Sequence, residues 1–469
     1  MSDQPNTRTS TSRRWFLLVW HKFCRLVVKV FYRHFEIVGL EALPEKGGLI
    51  LCANHINALA DVVILQASTD KDIRPLARSG LFENRFLRPI LEMMGAIPIY
   101  RQGDKGSHVA DNEGTFRRCY EMLAANETLI IFPEGQSHSD PYLHELKTGA
   151  ARMALGAIEN NGIEPVVLPV GLTFTRKGKF RSDVLVHYGQ PVDLNTDDEN
   201  DPHSQVKLIT DRITKGLATV TLNAQSWKEL ILIDRLEQFF AFRHGKYRHR
   251  NLGQRFRSFQ RLVKAKKLLQ ESEPDKVRSL INHLKMFDRL CKCCGIKSYH
   301  LGVNYHPVFL TLYIVRSLTI ILIGYPLALW GIINSILPYQ LTRILTRLFA
   351  KGWDQQDTTK MLVGLFLFPL FWGIQTYFIY HYFGTGWTIA YCMSLTIGAG
   401  SALKLRGEYK RIIKDFKVFF LFLRKRELKE YLTMKRQEIE VELAQLVRRA
   451  RVLSTEESPE KMAGIKTIQ

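Results

Sequence analysis

The chain has 469 residues, with 46% hydrophobic and 24% charged side chains, which excludes a disordered basic tail and a small disulfide-stapled module. Lys and Arg number 66 against 45 Asp and Glu, a net charge of +21, so a folded basic surface is offered to nucleic acid, an anionic bilayer or a negatively charged small substrate. Seven cysteines, an odd number scattered from Cys24 to Cys392, lack the framework of a secreted disulfide protein and point to a reducing compartment.

At the N-terminus a polar stretch runs into WFLLVW, but His21, Lys22 and Arg25 interrupt the apolar run and no small-residue cleavage site follows, so it does not read as a signal peptide. Within 1–33, residues 15–33 read as an amphipathic helix: Trp15, Phe16, Val19, Phe23, Val27 and Phe31 interleave with Lys22, Arg25, Lys29 and Arg33. It either lies in a membrane interface or packs on the next domain.

Residues 34–193 carry the pattern of an α/β domain, short apolar β-rich runs alternating with helical stretches. GGLILCANH predicts a strand ending near Ala53, ETLIIFPEG one ending near Phe132, EPVVLPVGLTF one over Val166 to Phe174, and SDVLVHYG a fourth ending before Gly189. His55 follows the first and Glu134 the second, and the loops after sheet strands are where such domains place their chemistry.

Residues 194–306 read as polar and helical, with 16 Lys or Arg against four Asp or Glu between 242 and 300, yet no recognisable nucleic-acid module stands beside them. Cys291, Cys293 and Cys294 have no second pair or nearby C-x-x-H, and read as plain thiols.

Residues 307–403 contain two charge-free stretches, 26 positions at 317–342 and 43 at 361–403, long enough for one and two membrane-embedded helices, with His381, Tyr382 and Gly384 near the second turn. Pro326 and Pro338 leave room for a broken first segment. Arg343, Arg347 and Lys351 separate the stretches, and nine Lys or Arg against two acids follow at 404–426. Both flanks read as cytoplasmic, which favours an even number of crossings or hairpins that dip and return. In the basic helical tail, 404–469, RIIKDFKVFFLFLRKR reads as an interfacial helix, with a partner-binding helix as the alternative.

The chemistry-bearing patterns are NHINALAD at 54–61, GAIPIYR at 95–101, IFPEG at 131–135 and VVLPVG at 166–171. A histidine can take a proton from a hydroxyl while an aspartate fixes its tautomer and stabilises the imidazolium. On a regular helix, residues six apart are offset by about 240°, so His55 belongs in a loop or distorted first turn and Asp61 in the helix after it, with Asn57 helping the chain turn in. Each residue alone has an ordinary structural reading: a loop histidine, a capping aspartate, a solvated Arg101, a turn Glu134. Their convergence at strand ends is what marks a site. Cys52 reads as core, and no metal signature joins His108, His138 and His144.

In order and separation the four patterns resemble the glycerophospholipid acyltransferase superfamily, which includes the 1-acylglycerol-3-phosphate and glycerol-3-phosphate acyltransferases. The common form has four residues between His and Asp; this chain has five. That H-x-N-x-x-x-D spacing, with FPEGQSH and LKTGAARMAL, resembles the fungal-type glycerol-3-phosphate and dihydroxyacetone-phosphate acyltransferase branch. The resemblance covers 34–193 and implies an acyltransferase-like α/β domain followed by a helical region with membrane-embedded helices. It implies a catalytic pair of His55 and Asp61, and an acceptor-phosphate role for Arg101, whose guanidinium fork suits a phosphate monoester. Glu134 and Gly135 would shape the acceptor site, Lys147 would add positive charge there, and Pro169 would belong to the acyl-binding wall.

The implied reaction is direct transfer from acyl-CoA or acyl-carrier protein to a hydroxyl of glycerol-3-phosphate or 1-acylglycerol-3-phosphate in phospholipid biosynthesis, without cofactor or metal. The chain has no G-x-S-x-G nucleophile elbow. The expected partners are the acyl donor, the phosphorylated acceptor and anionic membrane lipid, with no nucleic acid, and the catalytic domain is expected on the cytoplasmic side of a membrane. The alternatives are dihydroxyacetone phosphate or another lysophospholipid as acceptor, and a non-catalytic membrane scaffold. A transporter is disfavoured because no charge lies within the apolar stretches.

Overall fold

A computed structural model describes residues 11–465 except 84, 86, 87, 101–111, 198, 244–250, 303–306, 351, 406 and 407. Arg101 and His108 therefore lie outside the described residues. The chain divides into two compact units: Met1–Ile231 with Arg250–Gln260 and Ala350–Met361, and Leu232–His249 with Arg261–Phe349 and Leu362–Gln469.

The first unit opens with α1 (Thr11–Phe31), an amphipathic helix that keeps Trp15, Leu18 and Leu26 exposed while Cys24, Val28 and Phe31 are buried. It continues β1 (His34–Val38), β2 (Leu49–Ala53), α2 (Leu59–Ser68), β3 (Ile73–Arg78), α3 (Arg88–Met93), β4 (Ile97–Ile99), α4 (Asn112–Ala124), β5 (Thr128–Ile131), α5 (Gly149–Asn161), β6 (Val166–Phe174), β7 (Asp183–Tyr188) and α6 (Pro202–Val220). The strands form one sheet in the order β1-β7-β6-β2-β5-β3-β4, parallel throughout except for the antiparallel β6–β7 pair. The four strands read from the sequence are present; β1, β3 and β4 join them.

All five residues of β2 are buried, and they alternate between two cores. Ile50 and Cys52 pack with residues of α4, α5 and α6, whereas Leu49, Leu51 and Ala53 pack with α1 and α2. A strand covered on both faces must be apolar at every position, which is why LILCA shows no alternation. Gly171 in β6 admits α6: a Cβ there would lie 1.8 Å from the Val220 carbonyl oxygen.

Helices α7 (Trp227–Arg243) and α8 (Leu252–Ser272) follow. The second unit is helical among the described residues, with α9 (Pro274–Cys293), α10 (Pro307–Thr319), α11 (Tyr325–Phe349), most of α12 (Gln356–Leu405), α13 (Glu408–Arg424) and α14 (Arg426–Ile465). A π-helical turn, Ile320–Gly324, joins α10 to α11. Two stretches, Thr311–Phe349 and Trp353–Leu405, are long and apolar enough to cross a membrane, and only 11% and 6% of their apolar windows are buried. Helices so apolar and so uncovered are ones that need lipid or a partner. Gly384, at φ 77°, breaks α12 at the turn expected from the sequence. At Gly331 of α11 a Cβ would lie 2.2 Å from the Gly398 carbonyl, so these two helices touch backbone to backbone.

Candidate active site

Parallel pairing of β2 with β5 sets Cys52 opposite Ile131. Three residues beyond them stand His55 and Glu134, so the register delivers both side by side at the carboxyl ends of the central strands. The His55 N–H donates to Glu134 Oε1 at 2.8 Å, and the His138 N–H donates to the His55 carbonyl at 3.1 Å. The imidazole lies against the Phe132 ring, with centroids 4.0 Å apart and planes 19° from parallel. Its side chain is 15% exposed.

The Nδ1 of His55 is 3.0 Å from Oδ2 of Asp61, which is fully buried in the first turn of α2. The same oxygen accepts the N–H groups of Ile56 and Asn57, each at 2.7 Å. A carboxylate that accepts three bonds requires the histidine proton on Nδ1, and Nε2 is left with the lone pair that a general base needs. The loop-then-helix placement expected of His55 and Asp61 is found, but Asn57 does not cap the helix. Its side-chain amide is buried without a partner among the described residues, and the turn is made instead by Asp61 reaching back to the backbone N–H groups of Ile56 and Asn57. Ala58 preceding α2 holds φ 48°, ψ −127°, a region glycine reaches readily and alanine does not.

The Glu134 carboxylate is also buried and fully engaged. Oε1 holds the His55 amide, while Oε2 accepts the His144 N–H at 2.9 Å and pairs with His138 Nε2. In this arrangement Glu134 holds the chain around the histidine. Gly135 turns that loop at φ 76°, and Lys147, an exposed residue, donates its backbone N–H to the Pro133 carbonyl at 2.7 Å. Pro169 is buried in β6, where a Cβ at Gly216 of α6 would approach its ring to 2.6 Å. Cys52 is fully buried, and burial pushes its thiol up to about 12.

Asn54, which opens the NHINALAD pattern, and Lys177, which has no signal in the sequence, also build the site. Asn54 is buried and bonds both ways with Leu172 of β6, accepting its N–H at 2.7 Å and donating to its carbonyl at 3.2 Å. Lys177, between β6 and β7, is 6% exposed and donates to the His138 carbonyl at 2.8 Å and Ser139 Oγ at 3.1 Å. Burial lowers its pKa to about 8 against the opposing pull of Asp61, Asp354, Asp357 and Asp140. Ligand atoms of His138, Asp140 and His144 come within 4.8 Å of one another. The two imidazoles are stacked at 3.8 Å with planes 9° apart, and both nitrogens of His138 are already engaged, by Glu134 and the Asp140 N–H. Parallel stacked rings do not aim their lone pairs at one point, so this group reads as a hydrogen-bond network around Glu134.

Residues 34–173 match the model of the family described as Acyltransferase. That match spans 140 of the chain's 469 residues. The chain is similar to two Saccharomyces cerevisiae proteins, Glycerol-3-phosphate O-acyltransferase 1, 31% identical over 137 residues, and Glycerol-3-phosphate O-acyltransferase 2, 33% identical over 135. Each match covers 28% of this chain and spans 18% of the relative's length. Among solved structures, that of the 1-acyl-sn-glycerophosphate acyltransferase from Thermotoga maritima aligns with 45% of this chain and 81% of its own, at 20% identity and a TM-score of 0.34. In this chain, an α/β acyltransferase-like core is followed by a long helical region with two membrane-span-like helices.

Proposed function

We propose that this protein is a membrane-associated glycerolipid O-acyltransferase that uses His55 as general base on the hydroxyl of glycerol-3-phosphate or 1-acylglycerol-3-phosphate. The observation that carries the reading is the His55–Asp61 contact, which leaves Nε2 as the ring nitrogen with a lone pair in a partly open position. His55 Nε2 removes the acceptor's hydroxyl proton as that oxygen attacks the thioester carbonyl of acyl-CoA or an acyl-carrier protein. Asp61 stabilises the imidazolium formed. Collapse of the tetrahedral intermediate breaks the C–S bond, and the proton held on Nε2 goes to the departing thiolate. The products are ester and free thiol, with no acyl-enzyme.

Arg101 is assigned to the acceptor phosphate from its place at the end of GAIPIYR, and Lys147 adds positive charge near it. Glu134 and Gly135 shape that end of the site. The apolar helices hold the domain at a membrane, on the cytoplasmic side by the basic flanks, where acyl chains partition. Dihydroxyacetone phosphate or another lysophospholipid is the alternative acceptor. The test is acyl transfer by the purified, detergent-solubilised protein to glycerol-3-phosphate, dihydroxyacetone phosphate and 1-acylglycerol-3-phosphate, each with both donor types, beside His55→Ala. Transfer to one acceptor that vanishes in the variant supports the reading; no transfer by folded, lipid-supplemented wild type refutes it and moves weight to a scaffold.

A further inference from the structure

The loop carrying His55 and Asp61 is held from a part of the chain some 300 residues away in sequence. Thr358, in the polar first turn of α12, donates its hydroxyl to the Asn57 carbonyl at 2.8 Å and accepts the Ala60 N–H at 3.0 Å. One side chain thus bridges the two sides of Ala58, the residue held at positive φ. Two neighbours tie the same segment to the other loops of the site. Asp354 Oδ2 accepts from Ser137 Oγ, 2.5 Å away, just beyond Glu134. Asp357, fully buried, accepts the Gly178 N–H at 3.2 Å beside Lys177. All of these residues belong to the first compact unit.

We propose that residues 353–360 are a clamp that fixes the His55–Asp61 loop in its working geometry, with Thr358 as the positioning residue. Thr358 acts through the loop backbone: its two bonds fix the 57–58 and 59–60 peptide groups, whose Asn57 carbonyl and Ala60 N–H also meet each other at 3.0 Å, and those set where Asp61 meets His55 Nδ1. A reacting group displaced by even 1 Å loses much of its rate, whereas substrate affinity is set elsewhere. The inference rests on the acyl-transfer reading for its kinetic consequence but not for its structural one.

The test compares full-length wild type, Thr358→Val, Thr358→Ser and His55→Ala in detergent micelles. Thr358→Val keeps the shape and removes both bonds. It is expected to lower kcat at least tenfold with the acceptor KM within twofold, and Thr358→Ser to return kcat to within about threefold of wild type. Hydrogen–deuterium exchange of a peptide spanning 54–61 is measured on the same samples. In Thr358→Val it is expected to quicken at least fivefold, with peptides from β5 and β6 unchanged. Wild-type kcat together with wild-type exchange in Thr358→Val overturns the clamp while leaving the acyltransferase reading intact. Quickened loop exchange in a protein whose wild type transfers no acyl group upholds the clamp and refutes the function. Should Thr358→Val unfold, Ser137→Ala, which cuts the tie to Asp354, must quicken the same loop, and unchanged exchange there overturns the proposal.

Discussion

Replacing Asp61 by Asn separates its two duties. An Asn side chain can turn its single oxygen toward Ile56 N–H, Asn57 N–H and His55 Nδ1, so the loop keeps its three acceptor contacts. What disappears is the negative charge opposite the imidazolium. With the charges about 4 Å apart and an effective dielectric constant of about 20, the lost attraction is about 4 kcal/mol. At 1.36 kcal/mol per decade, kcat should fall about 10³-fold, followed as release of free thiol from acyl-CoA with saturating acceptor. Thermal unfolding in the same detergent should move only slightly. Asp61→Ala, by contrast, strips the acceptor from the buried Asn57 N–H and the half-buried Ile56 N–H, at up to about 1–3 kcal/mol each, and should lower the melting temperature markedly as well. An Asp61→Asn enzyme within tenfold of wild-type kcat would refute the assignment of His55 as a base supported by Asp61.

Glu134→Gln places an NH2 where one of three donors now finds an oxygen, so it should cost about 1–3 kcal/mol of stability, read as a lower melting temperature, and reduce transfer with it. Lys177, lowered to about 8 from 10.5, has a sign opposite to that of a salt-bridged lysine. Below pH 8 both folded and unfolded chains carry its proton and the burial cost is fully present, whereas between about 8 and 10.5 only the unfolded chain keeps it, so stability rises with pH by up to about 3 kcal/mol. Thermal unfolding at pH 8 and 10 should show that rise in wild type relative to Lys177→Met, and parallel profiles would count against it. In the apolar region, Gly331→Ala should destabilise by about 1–3 kcal/mol because the added methyl meets the Gly398 backbone, whereas Gly373→Ala meets nothing within 4 Å and should leave the melting temperature unchanged.

The central strands were legible because burial on both faces leaves an unbroken apolar run, as in LILCA. β1, β3 and β4 were not: HFEIV and IRPLAR mix charge with apolar residues because they are only partly covered, and IPI is three residues long. His55 and Asp61 could be placed in loop and helix from helical geometry alone, since six residues cannot share a face of a regular helix. The role of Glu134 was less accessible. Its motif marks it as part of the site, but that both its oxygens grip the chain around His55 depends on the Cys52–Ile131 register, a property of pairing between distant segments. Lys177 and Thr358 lie beyond any local pattern, because the contacts that matter join residues about 40 and 300 positions apart in sequence.

The dependence of the first unit on Ala350–Met361 also sets an order of events during synthesis. Every motif from His55 to Pro169, and the Arg250–Gln260 segment, leaves the ribosome before Thr358 has been added. At about 5–20 residues per second, the 90 or so residues between Gln260 and Ala350 take about 5–18 s. Throughout that interval the nascent head has its histidine and aspartate but not the hydroxyl that bridges their loop. A message broken in this stretch would yield a polypeptide bearing all four motifs and lacking Thr358, and on the clamp reading the presence of the motifs in such a fragment would be a poor guide to its competence.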